Sequence, residues 1–245
     1  MSRLELIAVE GLPEVRPGDD LGRMISEHSD LRTGDVLVVA QKVVSKAEGR
    51  LVSLSSVTPS DEAVRISRRL IAKPDPRMVQ VVLDESVRVL RSERTLITET
   101  RHGYVCANSG VDHSNVGSPD VLTLLPVDPD ASAEHLRSAL RQLSGAEVGV
   151  IVSDTFGRPW RLGIVNVALG IAGVPALIDL RGTDDDAGMP LRATVLAVAD
   201  DIAASAGLVM GKTARIPAVV VRGLSLQGAG SGRDLIRPAE EDLFR

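Results

Sequence analysis

Short apolar runs alternate with amphipathic stretches along the chain, and this pattern predicts its elements. Residues 35–45 (DVLVVAQKVVS) are nearly continuous and β-branched, which is typical of a strand buried on both faces. Residues 132–143 place leucines three and four positions apart, which predicts an amphipathic helix that ends at Gly145. By the same criteria we expect strands at 4–9, 148–152 and 217–221, a hairpin of 95–99 with 104–107, and helices at 20–28, 58–73 (capped by Thr58), 77–90 and the second half of 193–208.

The order of these elements predicts a fold between α/β and α+β, with a mixed sheet and flanking helices. We expect one domain over residues 1–245, with the Pro- and Asp-rich segment 126–130 as the best internal boundary. No apolar run approaches the roughly 18 residues of a membrane span. Residues 1–10 also lack the apolar core of a signal peptide, so we expect a cytoplasmic protein that does not enter a membrane.

Composition removes several classes of function. Aromatic residues make up 2% of the chain, too few for a platform that stacks single-stranded nucleic acid. The net charge of −5 also argues against a partner bound through its phosphate backbone, so no nucleic acid is expected. Cys106 is the only cysteine, which excludes an internal disulfide and a zinc site built from several thiolates.

The first polar cluster interrupts the apolar run at residues 41–46. If the strand continues, its alternation places Lys42 and Lys46 on one face, where two point charges could hold phosphates. The alternative is that both lysines are exposed charges at a strand end, which is the usual environment of lysine.

Two further clusters are rich in oxygen atoms. Residues 108–115 (NSGVDHSN) could hold a hard cation and a nucleotide through Asp112 and Asn115, or could form an Asx-rich turn. In residues 153–161 (SDTFGRPWR), Asp154 follows a buried strand, a common position for a magnesium ligand. Thr155 adds a hydroxyl group, and the loop expected here carries two arginines suited to phosphate or carboxylate.

Several motif matches fail. Residues 207–213 (GLVMGKT) are one residue short of a phosphate-binding loop and follow a helix rather than a strand. Residues 228–233 lack the third glycine of a dinucleotide fingerprint. Cys106 lies in an apolar strand, where a core position is far more common than a nucleophile. The four histidines show no metal-ligand spacing.

Four segments together resemble one family: residues 35–50, 106–117, 153–163 and 199–212 are similar to the coenzyme F420-0:L-glutamate ligases. The resemblance runs from about residue 7 to residue 244, and it covers the stand-alone form and the N-terminal domain of the fused mycobacterial enzyme. It implies a family-specific fold and an interlocked homodimer. It also implies a GTP-dependent ligase that joins L-glutamate to the carboxylate of F420-0 through an acyl phosphate, and then adds further γ-linked glutamates.

The resemblance further implies roles for individual residues. Magnesium or manganese, one or two ions per site, would be held by Asp112, Asp154 and Thr155, and a monovalent cation is a further candidate. The nucleotide would contact Leu12, Pro13, Glu14, Val15, Gln41, Lys46, Asn115, Met210, Gly211 and Lys212. Because all substrates are anionic, we expect Lys46, Arg158 and Arg161, together with Lys42, to offset charge and orient the reactants in catalysis.

One position departs from the family pattern. Archaeal members carry an acidic residue where this chain has Lys212, which puts the coordination of a second metal ion in question. The residues also suit two other functions: a metal-dependent ligase or phosphotransferase acting on another carboxylate, and a non-catalytic GTP- or GDP-binding regulator. No general base is evident in the sequence.

Overall fold

The computed structural model describes residues 3–113, 118–226 and 228–242. The strands are β1 (Glu5–Ala8), β2 (Val36–Ala40), β3 (Leu51–Ser53), β4 (Ser86–Ser92), β5 (Leu96–Thr100), β6 (Val105–Ala107), β7 (Val121–Thr123), β8 (Gly149–Arg158), β9 (Arg161–Ala172), β10 (Ile178–Asp179), β11 (Val195–Leu196) and β12 (Ala218–Arg222). The helices are α1 (Leu21–Glu27), α2 (Gln41–Ala47), α3 (Asp61–Arg69), α4 (Pro76–Asp84), α5 (Pro129–Ser144) and α6 (Val198–Met210).

A five-stranded sheet forms the centre, in the order β1-β12-β2-β8-β9. β2 and β8 run parallel, whereas the other three neighbouring pairs are antiparallel. Three smaller antiparallel sheets join β3 to β7, β4 to β5 and β6, and β10 to β11. The predicted mixed sheet with flanking helices is therefore confirmed.

The central sheet buries both faces, as the continuous apolar runs predicted. Leu37 and Val39 point to one face, where the core includes apolar side chains of α1 and α5. Val36 and Val38 point to the other, where they pack in the same cluster as Ile202 of α6. The alternation of a strand thus supplies both layers from adjacent residues.

A separate core lies within the chain between β2 and α5. It consists of buried apolar residues of α3, α4 and the small sheets, among them Ile66, Val82, Leu96 and Leu122. Arg50 connects this region to the segment before α5, since its guanidinium donates to the Leu125 carbonyl at 2.9 Å and to Glu85 at 2.8 Å. A single domain with a boundary at 126–130 stays a prediction.

Local signals predicted several elements well. α1 spans Leu21–Glu27 within the expected range 20–28, and the Asp20 side chain caps it. α5 ends at Gly145, whose φ of 73° is the left-handed conformation that glycine favours. The hairpin of β5 and β6 is also present, as are the strands expected near 4–9 and 217–221.

The strand predicted over 35–45 is wrong beyond Ala40, because Gln41 begins a helix. Val43 and Val44 favour a strand in isolation, but tertiary contacts outweigh such preferences. In the helix, the Gln41 amide donates to Ser45 Oγ one turn later (2.5 Å) and to the Leu124 carbonyl (2.9 Å). The strand conformation would not place these partners within reach.

Other boundaries also differ from the predictions. Ser60, not Thr58, caps α3, and the helix ends at Arg69 rather than at residue 73. The helix expected over 77–90 ends at Asp84 and is followed by β4, while the helix expected in 193–208 is Val198–Met210. No helix in the described ranges has the length and apolar character needed to cross a membrane.

Candidate functional site

The candidate site forms where the parallel pairing of β2 with β8 ends. Ala40 at the end of β2 lies opposite Ser153 in β8, so the start of α2 and Asp154 meet at the same edge of the sheet. This edge, at the carboxyl ends of parallel strands, is where open α/β sheets bind their ligands. The parallel pair therefore joins two of the three polar clusters predicted from the sequence.

Helix α2 places Lys42 and Lys46 one turn apart on the same face. The prediction that they share a side is right, but the reason is the helical period and not strand alternation. Lys46 is buried, and its Nζ lies 2.5 Å from Glu14 Oε1. Lys42 Nζ lies 2.6 Å from Asp112 Oδ2, with about a fifth of the Lys42 side chain exposed. Neither lysine is the exposed strand-end charge of the alternative interpretation.

Asp112 follows an unusual backbone turn. Asn108, Ser109 and Gly110 have φ values of 53°, 52° and 70°, so three consecutive residues are left-handed. Ser109 is buried and fixes the turn, because its N–H donates to Thr98 Oγ1 at 3.0 Å and the two hydroxyls share a bond of 2.7 Å. The turn directs the chain so that the Asp112 side chain reaches Lys42.

Asp112 is also paired through its backbone. Its N–H donates to the Thr123 carbonyl at 3.1 Å, and the Thr123 N–H donates back at 2.8 Å. This bridge attaches the oxygen-rich segment to β7. The segment is thus both a left-handed turn and the carrier of a charged side chain at the site, so the two interpretations of its sequence are compatible.

Asp154 carries the most perturbed carboxyl group of the site. Burial raises its pKa to about 6, while the Thr155 N–H and the charges of Lys42 and Lys212 act to lower it and Asp112 acts to raise it. Its Oδ1 accepts the Thr155 N–H at 2.7 Å, and Lys212 Nζ donates to Thr155 Oγ1 at 2.6 Å. A buried carboxylate of this kind is stabilised by nearby positive charge.

Together these contacts define what we call the lysine–aspartate cluster: Lys42, Asp112, Asp154, Thr155 and Lys212. Its carboxylate and hydroxyl oxygens are the hard ligands that magnesium and manganese prefer. Among the described residues, no three His, Cys, Asp or Glu side chains form a metal-holding group.

Arg158 and Arg161 lie away from this cluster. The loop expected over 153–161 is wrong: β8 continues to Arg158, and Pro159 and Trp160 turn the chain into β9. Trp160 has a φ of 65°, and Arg158 donates to the Leu162 carbonyl at 2.6 Å. Arg158 lies four strand residues beyond Asp154, which is about 13 Å along β8. Arg161 lies opposite Arg158 in β9. Both are exposed at the end of a two-stranded arm.

The residues expected to contact a nucleotide fall into three groups in the structure: residues 12–15 before α1, Gln41 at the start of α2, and residues 210–212 at the end of α6. Glu14 touches Lys46, while Leu12 and Val15 pack in the core beside α1. Gln41 is buried, and both hydrogens of its amide are used inside the protein.

The third group lies at the end of α6. Met210 is buried beside Asn166, Gly211 ends the helix with a φ of 55°, and Lys212 belongs to the lysine–aspartate cluster. Pro13 and Glu14 also line a surface cleft with side chains of α1. Asn115 lies outside the described residues.

Sequence reasoning missed two buried hydroxyl groups next to this site. Ser153 Oγ and Thr123 Oγ1 are buried and have no hydrogen-bond partner in the part of the chain that the structure describes. Ser153 precedes Asp154, and Thr123 pairs with Asp112. No local pattern could have identified Thr123, because its relation to Asp112 is created by the fold.

Comparison with known proteins relates the sequence of this chain to one family. A family model described as F420-0:Gamma-glutamyl ligase matches residues 11–223. A protein of Methanopyrus kandleri is 46% identical, with both chains covered completely. Proteins of Archaeoglobus fulgidus and Haloarcula marismortui are 48% and 47% identical, over 99% of this chain and 97% and 96% of theirs. All three are named coenzyme F420:L-glutamate ligase.

Proposed function

This chain belongs to the F420-0:gamma-glutamyl ligase family, and from that premise we propose that it joins L-glutamate to coenzyme F420-0 in a reaction driven by GTP. The observation that carries the proposal is the lysine–aspartate cluster, which lies where the parallel pairing of β2 with β8 ends. It combines oxygen ligands with cations at one edge of the sheet. A reaction among three anionic substrates needs that combination.

The proposed chemistry has two steps. A carboxylate oxygen of F420-0 attacks the γ-phosphorus of GTP, the bond to the β-phosphate oxygen breaks, and GDP leaves. The amine of L-glutamate then attacks the carbonyl carbon of the acyl phosphate, inorganic phosphate leaves, and the nitrogen releases a proton. Carboxylate oxygen is a poor leaving group, which is why the first step is needed. Repetition on the γ-carboxylate would add further glutamates.

We assign the divalent ion to Asp112, Asp154 and Thr155. Magnesium or manganese bound there supplies charge neutralisation to the phosphates. The protein's own part is to hold the ligands in place: the left-handed turn presents Asp112, and β8 presents Asp154 and Thr155 just beyond its pairing with β2. The number of ions and a bound monovalent cation remain part of this proposal.

The nucleotide is assigned to the elements that surround the cluster. Lys46 and Lys212 supply positive charge from two sides, and residues 12–15 and 210–211 provide the adjoining backbone. Lys46 is held by Glu14, so its ammonium group is oriented before a nucleotide arrives. Such preorganised cations stabilise charge that develops on the transferring phosphoryl group.

A homodimer is also part of the proposal. The arm formed by β8 and β9 exposes Trp160, Leu162 and Ile164, with 84%, 96% and 58% of their surface accessible. A contiguous apolar set of this kind is typical of a surface that another protein covers. We assign it to a second copy of this chain, and Arg158 and Arg161 on the same arm would then orient reactants in a site shared between protomers.

Mass spectrometry of the reaction product tests the function directly. The full chain is incubated with F420-0, GTP, L-glutamate and Mn²⁺, and we expect F420 species heavier by one or more glutamyl units, with one GDP released per unit. ATP in place of GTP should give little product. Release of GDP without a heavier F420 species would instead favour another carboxylate substrate, and nucleotide binding without turnover would favour a regulator.

A further inference from the structure

We propose that the ammonium groups of Lys42 and Lys212 occupy the cation position of the lysine–aspartate cluster when no nucleotide is present, so that the divalent ion and the nucleotide each bind more tightly when the other is bound. This inference rests on the proposed function, because it concerns the same site. It adds an order of events: the metal must displace two built-in cations, and the displaced cations then hold the phosphates.

The choice of lysine is the first observation. The chain contains 24 arginines and only four lysines, and three of those lysines, Lys42, Lys46 and Lys212, lie at the site. Elsewhere the structure uses arginine to hold carboxylates, as in the pair of Arg222 with Asp35. A guanidinium grips a carboxylate through two bonds, whereas an ammonium is a compact point charge with rotatable donors. Lysine therefore suits a contact that must exchange.

The contacts themselves are the second observation. Lys42 Nζ lies 2.6 Å from one carboxylate oxygen of Asp112, and Lys212 Nζ lies 2.6 Å from Thr155 Oγ1. Both ammonium groups also act electrostatically on Asp154. Each proposed metal ligand thus already interacts with a lysine. A magnesium ion would need the same oxygens at about 2.1 Å, and its charge would repel an ammonium that stayed beside them.

The balance of charge explains the coupling. The two carboxylates of the cluster are matched by the two ammonium groups, so the cluster is neutral by itself. A divalent ion that arrives alone leaves an excess of positive charge at a partly buried site. An ion that arrives with a nucleotide brings the negative phosphates as well, and Lys42 and Lys212 can turn to them. Both lysines have long side chains that permit this movement.

Calorimetry with Mn²⁺ and GDP tests the inference without relying on turnover. In the wild-type protein, Mn²⁺ should bind at least about tenfold more tightly in the presence of saturating GDP, within the usual range of coupling between sites. Lys42→Met should bind Mn²⁺ alone at least about tenfold more tightly than the wild type, since one competitor is gone. Lys42→Arg should lose Mn²⁺ binding even with GDP, because a guanidinium group would hold the Asp112 carboxylate through two hydrogen bonds.

Lys73→Met is the matched control, because Lys73 is the one lysine outside the site and is exposed. It should leave both affinities unchanged. Lys212→Met provides a second variant in case Lys42→Met fails to fold, and it should also tighten the binding of Mn²⁺ alone. Circular dichroism establishes that each variant is folded.

Two different results distinguish the possible failures. If the wild type binds Mn²⁺ equally well with and without GDP, and Lys42→Met and Lys212→Met change nothing, the inference is overturned while the proposed metal site stands. If the wild type binds no Mn²⁺ in either condition, the assignment of the metal in the proposed function fails, and the inference fails with it.

Discussion

Replacing Ser109 by alanine probes how the left-handed turn holds Asp112 at the site. Ser109 is 1% exposed, and its hydroxyl shares a bond with Thr98 Oγ1 and donates to the Val82 carbonyl at 3.2 Å. Val82 lies in the last turn of α4, where carbonyl groups lack partners within the helix. The substitution therefore removes two hydrogen bonds and leaves buried polar groups under-satisfied.

The expected loss of folding stability is about 1–3 kcal/mol, the cost of leaving a buried polar partner unsatisfied. Ser109→Gly loses the same hydroxyl but tolerates a φ of 52°, so it should be roughly 1 kcal/mol more stable than the alanine variant. Thr98→Val removes the other end of the shared bond. The double substitution should cost less than the two single costs added together, because both single variants break the same bond.

Urea denaturation at 25 °C measures these differences, and Ser138→Ala on the exposed surface of α5 is the control, with an expected change within about 0.5 kcal/mol. Calorimetry of Mn²⁺ with GDP on folded protein should also show weaker binding for Ser109→Ala, since Asp112 is less well positioned. A stability for Ser109→Ala that matches the Ser138→Ala control would refute the role given to the turn.

Four other expectations can be checked independently. Asp154→Asn should abolish turnover in the mass-spectrometric assay while its circular dichroism matches the wild type, and full activity would contradict the metal assignment. Arg222→Leu should destabilise the protein by about 3 kcal/mol in urea, because Asp35 stays buried without its counter-ion. Cys106 should resist iodoacetamide at pH 8.5 until the protein unfolds, since burial raises the pKa of its thiol to about 12. For the same reason the free energy of unfolding should fall above about pH 9, where the thiol ionises in the unfolded chain but not in the folded protein. Trp160→Ser should lower the mass measured by light scattering from that of a dimer, and an unchanged dimer would remove the role given to the arm.

The elements predicted best from the sequence are those fixed by local chemistry. The leucine spacing and Gly145 predicted α5 and its end correctly. The helix begins at Pro129 and not at residue 132, because Asp128 caps it and a proline fits its first turn, two local signals that the prediction did not use. The continuous apolar runs likewise predicted β2, β12 and the first half of β8, because burial on both faces leaves no polar positions, but they did not predict β9.

The predictions failed where distant contacts decide the conformation. Val43 and Val44 favour a strand, but the Leu124 carbonyl, far along the chain, accepts from Gln41 and supports a helix. The prediction about Lys42 and Lys46 nevertheless holds, because a spacing of four returns to the same face in a strand and nearly so in a helix. β9 and the part of β8 beyond residue 152 were not predicted, because the polar residues of 153–161 favoured a loop. The second half of β9 is nevertheless buried in the core, whereas Trp160, Leu162 and Ile164 at the end of the arm are exposed.

For the site, the sequence by itself indicated which side chains could bind a cation or phosphates. The family resemblance predicted that these side chains act together in one site. Spacing alone could not bring Asp112 to Lys42, since that contact depends on the left-handed turn and on the bridge to Thr123. Nor could it show that Arg158 lies at the end of a strand pair and not beside Asp154. Those facts follow from three-dimensional packing and have no local sequence signal.

The strand order has a consequence for how the polypeptide is made. β12 lies between β1 and β2, although more than two hundred residues separate β1 from β12 in the chain. During translation β1 therefore lacks its neighbour until the ribosome has released residues 218–222, and one edge of β2 stays open as well. Such distant pairings are slow to form, and open edges invite association with other nascent chains. We expect the newly synthesised protein to depend on chaperones more than its size alone suggests.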